Sequence, residues 1–320
     1  MDQTPLAVQT SALSKSYDGV PVVDAIDLQV PRHSVFGFLG PNGAGKTTTM
    51  KMLLGLIRPT SGEGSIFGLD IVRDSPQVRR RIGYLPQEPR FYPHMTSRET
   101  LRFAAEFFFS GPPARVEDRI AEMLDLVGLA DKADRPVKTL SGGETQRLGI
   151  AQAQIHQPDL LILDEPAAAL DPLGRRDVLS ILEQFRSTST VFYSTHILDD
   201  VQRVSDAVCI LKDGRVLSQG PLAEVLASPS DCVFVVVVAG DVESARTTLL
   251  QQPWVQRVEV QGGPDAATMR IAVSDAEVAA ARLQRVLLAD EDLVIREFSR
   301  PTATLEDVFV ELVEGGPTDD

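Results

Sequence analysis

A glycine-rich segment near residue 40 has the residue types and spacing that hold nucleotide phosphates. Glycines let backbone N–H groups turn toward phosphate oxygens, and a following helix adds the positive end of its dipole. In such a P-loop pattern the lysine, Lys46, reaches the β- and γ-phosphates, and the Thr47 hydroxyl binds Mg²⁺. The predicted phosphate-binding residues are Gly40, Pro41, Asn42, Gly43, Ala44, Gly45, Lys46, Thr47 and Thr48.

Two acidic residues, Asp164 and Glu165, directly follow the apolar run Leu160–Leu163. A buried strand of an open α/β sheet delivers such side chains at its carboxyl end, where ligands bind. Asp164 can hold Mg²⁺ through water, and Glu165 can orient and polarise an attacking water molecule. Together with the P-loop pattern, these acids predict nucleotide hydrolysis.

The segment Ser141-Gly142-Gly143-Glu144 precedes a predicted helix, Thr145–Ile155. Ser141 and Glu144 suit a capping box, in which each side chain accepts a hydrogen bond from the other residue's backbone. The same helix N-terminus, with its two glycines, could instead hold a phosphate. The capping pattern alone does not decide between these two interpretations.

Apolar runs alternate with helical patterns over the first two-thirds of the chain. Continuous apolar runs suit strands buried on both faces of a parallel sheet, so this rhythm predicts an α/β fold of the P-loop NTPase type. Thr96 and Glu99 suit a second capping box. The predicted strands are Val35–Leu39, Leu160–Leu163 and Thr190–Tyr193, and the predicted helices are Lys46–Leu56, Arg98–Phe109, Val116–Val127 and Val178–Arg186.

The pattern changes after about residue 228, where Ser228-Pro-Ser-Asp231 suits a linker. The order strand, helix, strand, strand, helix, strand follows, and it suits a small ferredoxin-like α+β domain. The predicted elements are Cys232–Ala239, Asp241–Gln251, Val255–Val260, Thr268–Val273, Asp275–Leu288 and Leu293–Phe298.

Composition excludes several classes of protein. The net charge is 31 − 45 = −14, so we expect no nucleic-acid partner, because phosphate neutralisation needs clustered Lys and Arg. Cys209 and Cys232 form no closely spaced pair, which excludes a disulfide scaffold and a four-cysteine zinc site. The longest apolar run, Cys232–Ala239, is far shorter than the ~20 residues of a spanning helix, and the N-terminus lacks a signal-peptide pattern. We therefore expect a cytoplasmic protein.

Taken together, these segments resemble the ATP-binding subunit of an ABC transporter, whose family signature is the LSGGE sequence that ends at Glu144. The resemblance covers residues 5–227, with a helical subdomain at about 88–157, and leaves an accessory domain at 232–315. It implies ATP and Mg²⁺ as cofactors, with Mg²⁺ bound by Thr47, Gln87 and Asp164. It implies catalytic roles for Glu165, His196, Lys46 and Gln87.

The same resemblance assigns the remaining nucleotide contacts. Tyr17 resembles the aromatic residue that stacks on adenine, and His196 resembles the switch histidine on the γ-phosphate. Asp171 belongs to the segment that resembles the D-loop. Ser141, Gly142, Gly143 and Glu144 would contact ATP held by a second copy. The sequence departs from the family pattern at 167–169, Gln152 and Gln154, and none of these positions supplies a catalytic group.

The resemblance implies an ATP-hydrolysing motor subunit that drives export through a separate membrane permease. Two copies would meet head to tail, and the protein would lie at the cytoplasmic face of the membrane through the permease. Thr304–Phe309 resembles the ending of exporter subunits of the drug and antibiotic type, although an amphipathic helix with Leu305, Val308, Phe309 and Leu312 on one face also explains it. The alternative is a soluble ABC-type ATPase without a permease, acting as a regulatory or assembly factor.

Overall fold

The computed structural model describes residues 5–168, 170–226, 233–263, 266–290, 293–299 and 304–314. The chain divides into two compact units, and the border between them lies between Val225 and Leu226. The predicted linker Ser228–Asp231 lies outside the described residues. The P-loop segment and both acids belong to the first unit.

An antiparallel sheet that we did not predict opens the first unit. Its strands are β1 (Leu6–Tyr17), β2 (Val20–Ile26), β3 (Gln29–Pro31), β5 (Ser61–Ile66) and β6 (Leu69–Asp70). The order is β2-β1-β5-β6, with β3 also paired to β1. Polar side chains interrupt these strands, so no continuous apolar run marks them in the sequence. Val8, Leu13 and Ile66 pack into one core with Phe36 and Phe38 of the next sheet.

A second, mostly parallel sheet carries the active-site segments. Its strands are β4 (Val35–Leu39), β7 (Ile82–Leu85), β8 (Leu160–Leu163), β9 (Thr190–Thr195), β10 (Ala207–Lys212) and β11 (Arg215–Pro221). The order is β11-β10-β4-β9-β8-β7. β11 is antiparallel to β10, and the other neighbouring pairs among these strands are parallel. The predicted strands Val35–Leu39 and Leu160–Leu163 are confirmed and are buried at every position. Because β4, β9 and β8 are adjacent, their carboxyl ends meet at one edge.

The helices of the first unit lie close to the predicted positions but differ at their ends. They are α1 (Lys46–Leu53), α2 (Ser75–Arg80), α3 (Ser97–Ala105), α4 (Pro113–Leu126), α5 (Gly142–Gln154), α6 (Pro172–Phe185), α7 (Leu198–Val204) and α8 (Leu222–Leu226). Three begin at least three residues earlier than predicted: α4 starts at Pro113, Ser141 caps α5 through its side chain, and Asp171 caps α6 in the same way. Two end earlier, α1 before Gly55, whose φ is +65°, and α3 before a tight turn at 106–108. Across the described ranges, no helix has both the length and the apolar character needed to cross a bilayer.

The second unit has the predicted order of strands and helices. Its elements are β12 (Val233–Ala239), α9 (Val242–Leu250), β13 (Val255–Gly263), β14 (Ala266–Val273), α10 (Ala276–Leu287), β15 (Val294–Ser299) and α11 (Leu305–Glu314). The sheet order is β13-β14-β12-β15, and every neighbouring pair is antiparallel. Phe234 and Met269 of the sheet pack with Leu249 of α9 and Leu283 of α10 in one core. The amphipathic expectation for α11 is confirmed, since Leu305 and Val308 are buried and Phe309 and Leu312 are half-buried.

Candidate active site

The P-loop segment turns sharply between β4 and α1, and two of its glycines are required by the turn. A Cβ atom at Gly40 would lie 2.4 Å from the carbonyl oxygen of Leu211, so no side chain fits there. Gly45 has φ +102°, which other residues rarely adopt, and a Cβ there would lie 2.7 Å from the Val22 carbonyl oxygen. The loop therefore wraps closely over the end of the sheet and leads directly into the N-terminus of α1.

A cavity of about 340 Å³ opens against this loop. Residues 41–48 line it, together with Val22, Gln87 and Glu165. Gln87 is exposed and lies two residues after the end of β7, the edge strand of the sheet. The segment after this edge strand therefore contributes to the cavity wall. All the predicted P-loop residues except Gly40 are therefore on the cavity surface, and Gly40 lies beneath it.

Lys46 is buried, and its ammonium group is held by the loop itself. Its Nζ donates to the carbonyl oxygens of Gly40 at 2.5 Å and Pro41 at 3.2 Å. The same Nζ lies 3.5 Å from Oε1 of Glu165. A buried ammonium group beside this cavity suits an anionic ligand, because the ligand would balance its charge at short range.

Asp164 is fixed by a hydroxyl group on each side. Thr47 Oγ1 donates to its Oδ2 at 2.8 Å, and Ser194 Oγ donates to its Oδ1 at 2.6 Å. The residue is 1% exposed, yet both carboxylate oxygens are paired. The pKa of Tyr84, in β7, is raised, first by burial and second by the negative charge of the Asp164 carboxylate.

Glu165 occupies a strained backbone conformation directly after Asp164. Its φ is +50°, a region that costs energy for a residue with a side chain. Its backbone N–H donates to Ser194 Oγ at 2.9 Å, and its Oε2 lies 2.9 Å from Nδ1 of His196. The carboxylate therefore lies between Lys46 on one side and His196 on the other.

The structure does not bring every predicted site residue to this cavity. Tyr17 ends β1 with an exposed ring, and Lys15 Nζ lies 5.0 Å from its centroid. Asp171 accepts a hydrogen bond from the Gly174 backbone at 2.9 Å as the N-cap of α6. Neither residue is part of the cavity wall.

The signature segment also lies outside the cavity wall of its own chain. The Ser141 side chain accepts from the Glu144 backbone, and Glu144 accepts from the Ser141 backbone, so the predicted capping box is present. Glu144 also pairs with Lys132, and this ammonium group is the first cause of a lowered Glu144 pKa, ahead of the Ser141 backbone N–H. Ser141 and Gly142 remain exposed to solvent.

Sequence reasoning missed two features of the site. Ser194 joins both acids, and we overlooked it because the predicted strand ended at Tyr193, whereas β9 continues to Thr195. A hydroxyl residue two positions before His196, on the strand beside β8, is the signal that could have found it. The second feature is an ion pair between Arg175 of α6 and buried Asp200 of α7, with Nε and Oδ1 2.5 Å apart.

The positions that depart from the family pattern have different surroundings. Ala167 is buried, whereas Ala169 lies outside the described residues. Gln154 is buried at the end of α5, and its Oε1 lacks a hydrogen-bond partner among the described residues. Its backbone oxygen accepts from Arg119 at 2.9 Å. These contacts lie at the C-terminal end of the helix that begins with the signature.

The fold and site are those of a P-loop nucleotide hydrolase, because the P-loop segment and two adjacent acids meet at the carboxyl ends of neighbouring parallel strands. A family model described as ABC transporter matches residues 23–168. The uncharacterized ABC transporter ATP-binding protein YxlF of Bacillus subtilis (strain 168) is 39% identical over 306 residues, which are 94% of this chain and 98% of that protein. The daunorubicin/doxorubicin resistance ATP-binding protein DrrA of Streptomyces peucetius is 35% identical over 320 residues, or 99% and 95% of the two chains.

A solved structure is similar to about two-thirds of the chain. The ATP-binding cassette MJ0796, described as a dimer in a post-hydrolysis state bound to ADP and Pi, matches with a TM-score of 0.62 and 25% identity. The match covers 67% of this chain and 98% of that one. The chain belongs to the ABC transporter ATP-binding proteins, and it is an ATPase of that family.

Proposed function

We propose that this chain is the ATP-hydrolysing motor of an exporter whose membrane-spanning part is a separate permease. One observation carries the proposal: Glu165, on the cavity wall, contacts both Lys46 and His196, although the three residues come from three segments of the sequence. DrrA, a relative over 99% of this chain, is a drug-resistance ATP-binding protein, which supports export as the direction. The permease-free alternative draws no support from these relatives.

The residues around the cavity fit an Mg²⁺–ATP complex. Backbone amides of 40–48 and the Lys46 ammonium group would bind the phosphates, and Tyr17 would stack on adenine. Asp164, Thr47 and Gln87 offer the hard oxygen ligands that Mg²⁺ prefers, and Mg²⁺ commonly takes only one or two carboxylates besides phosphate oxygens. When bound, Mg²⁺ would neutralise charge on the β- and γ-phosphates.

Glu165 is the proposed general base for hydrolysis. Its carboxylate is confined by Lys46 and His196, so it has one orientation in which to accept a proton from water. The His196 side chain is 44% exposed, and its other ring nitrogen would contact the γ-phosphate. On ATP binding, the Lys46 ammonium group would exchange its hydrogen bonds to the loop carbonyl oxygens for contacts with the phosphates. Gln87, which lines the cavity, would contact the bound nucleotide complex.

The second half of each ATP site would come from another copy. The N-terminal turn of α5 contains Ser141, Gly142, Gly143 and Glu144 and lies outside the cavity wall of its own chain. Ser141 and Gly142 are exposed, and Gly143 and Glu144 are half-buried. A helix N-terminus with accessible N–H groups can bind a γ-phosphate. The dimeric description of MJ0796 supports two copies, arranged so that ATP contributes contacts to both faces. Asp171, the N-cap of α6, would take part in that dimer contact.

The permease would dock on exposed aromatic rings in the helical region that follows Gln87. Tyr92 and Phe103 have centroids 6.0 Å apart, and Phe103 and Phe107 have centroids 5.2 Å apart, with edge-to-face geometry. All three rings are exposed. Such a patch is typical of a protein interface. Docking there would hold the protein at the cytoplasmic face of the membrane.

We further propose an ABC domain at 5–227, with its helical subdomain at about 88–157, and a ferredoxin-like accessory domain at 232–315. The packing of α3, α4 and α5 on one another supports the subdomain. The sheet order β13-β14-β12-β15 supports the accessory fold, as does the position of the helices, since α9 follows β12 and α10 follows β14 in the chain.

Isolation from native membranes at low salt tests the transporter assignment. The protein should be recovered with an integral-membrane protein, and a detergent-solubilised complex of the two should hydrolyse ATP. Recovery with soluble partners alone would contradict the proposed function.

A further inference from the structure

Ser194 lies at the carboxyl end of β9 and connects the two acids of the active site. Its hydroxyl donates to Oδ1 of Asp164 at 2.6 Å and accepts from the backbone N–H of Glu165 at 2.9 Å. The side chain is 0% exposed, so water does not compete for these bonds. A hydroxyl has a single proton, and because that proton goes to Asp164, the oxygen lone pairs are left to accept from Glu165.

Each of these two bonds restrains a different part of the site. With Thr47 donating to the other oxygen, the Asp164 carboxylate cannot rotate without losing a buried hydrogen bond. The Glu165 backbone has φ +50°, and a strained conformation persists only when its surroundings hold it. The bond from its N–H to Ser194 is such a restraint.

We propose that Ser194 is a positioning residue for ATP hydrolysis, which orients Asp164 toward Mg²⁺ and Glu165 toward the attacking water without touching either. The inference rests on the proposed function, since it needs both acids in their proposed roles. Partners that orient metal ligands typically change metal affinity or activity 10–100-fold when they are removed.

The competing explanation is that Ser194 merely satisfies buried polar groups, as many hydroxyls do. Ser189 provides the matched control, because it lies at the other end of the same strand region. It is 1% exposed and donates to the Pro158 carbonyl oxygen at 2.7 Å. Ser189→Ala therefore removes one buried hydroxyl bond without changing any contact of the two acids.

The test compares Ser194→Thr with Ser194→Val, which are nearly identical in shape and differ in the hydroxyl. Two quantities are measured on the full chain: kcat for ATP, and the Mg²⁺ concentration that gives half-maximal binding of a non-hydrolysable ATP analogue. We expect the valine variant to lose about 10–100-fold in kcat and to need about 10-fold more Mg²⁺. The threonine variant and Ser189→Ala should stay close to wild type in both, and binding of the analogue without Mg²⁺ should be equal in all four proteins.

Equal losses in the threonine and valine variants would overturn the inference, because packing would then explain them. Wild-type values in the valine variant would also overturn it. If the larger side chains prevent folding, Ser194→Ala gives the same comparison with the hydroxyl removed and no methyl added. Failure of the proposed function is recognised separately, because the wild-type chain would then show no Mg²⁺-dependent hydrolysis.

Discussion

His196 Nδ1 lies 2.9 Å from Oε2 of Glu165, and the other carboxylate oxygen of Glu165 lies 3.5 Å from Lys46 Nζ. The two contacts join the segments that follow β9 and β8 to the first residue of α1, which follows β4. These three strands are adjacent in the sheet, although more than a hundred residues separate Leu39 of β4 from Leu160 of β8. The carboxylate is thereby held from both sides at the wall of the cavity that residues 41–48 line. Each contact can be removed by one substitution.

Lys46→Ala should weaken ATP binding and lower kcat by about 100-fold or more, because a buried cation is then missing from the phosphate site. Equilibrium binding of a fluorescent ATP analogue and a phosphate-release assay measure the two effects. Lys51→Ala is the control, since Lys51 is an exposed lysine in the same helix, α1. Unchanged affinity in Lys46→Ala would show that the phosphates bind elsewhere.

Ser141→Ala and Thr96→Ala should each destabilise the protein by about 1 kcal/mol, because each removes the N-cap of a capping box. Only Ser141→Ala should also weaken ATP-dependent dimer formation, since α5 is the helix proposed to face the nucleotide of the second copy. Urea unfolding and sizing chromatography with ATP measure the two effects. If the two variants dimerise equally well, Ser141 has a capping role alone.

The Lys132–Glu144 pair predicts a pH-dependent contribution to stability. The Lys132 ammonium group is the first cause of the lowered Glu144 pKa, so the pair stabilises the folded state above the ordinary value of 4.5. That contribution is lost as the pH falls through the lowered pKa. Lys132→Gln should therefore be less stable than wild type in urea at about pH 7, and the difference should shrink toward about pH 4. A difference that does not vary with pH would contradict an ionic origin.

Truncation after Ala227 should leave ATP affinity intact. Every proposed nucleotide contact lies between Tyr17 and His196, and the first unit forms its own core. Circular dichroism establishes that the truncated chain is folded, and equilibrium ATP binding then gives the answer. A folded but non-binding fragment would place part of the site in the C-terminal unit.

Sequence reasoning reached the P-loop, both acids and the buried strands because each is a local pattern. Leu160–Leu163 is apolar at every position, and a strand buried on both faces produces such a run directly. The antiparallel sheet of β1 and β5 escaped prediction because β1 has neither a continuous apolar run nor a regular alternation of buried and exposed residues. Its pairing with β5 also joins residues that are about fifty positions apart in the chain.

The contacts of Ser194 could not be read from the sequence, because they depend on the register between two strands. β8 and β9 pair so that Leu163 lies opposite Tyr193, which places Asp164 beside Ser194. A shift of one residue would turn the hydroxyl to the other face. The N-termini of α5 and α6 could have been predicted from the sequence, since Ser141 and Asp171 are residue types that are strongly preferred as N-caps.

The oligomeric state and activity of Glu165→Gln test the central claim most directly. Glutamine keeps the size of the side chain but does not accept a proton, so hydrolysis should fall by about 10²–10⁴-fold while ATP binding survives. Sizing chromatography should then show a dimer with ATP and Mg²⁺ and a monomer with ADP, and adding Ser141→Arg should abolish the dimer. Hydrolysis at the wild-type rate would contradict the assignment of Glu165 as the catalytic carboxylate, and a monomer with ATP bound would contradict the shared nucleotide site.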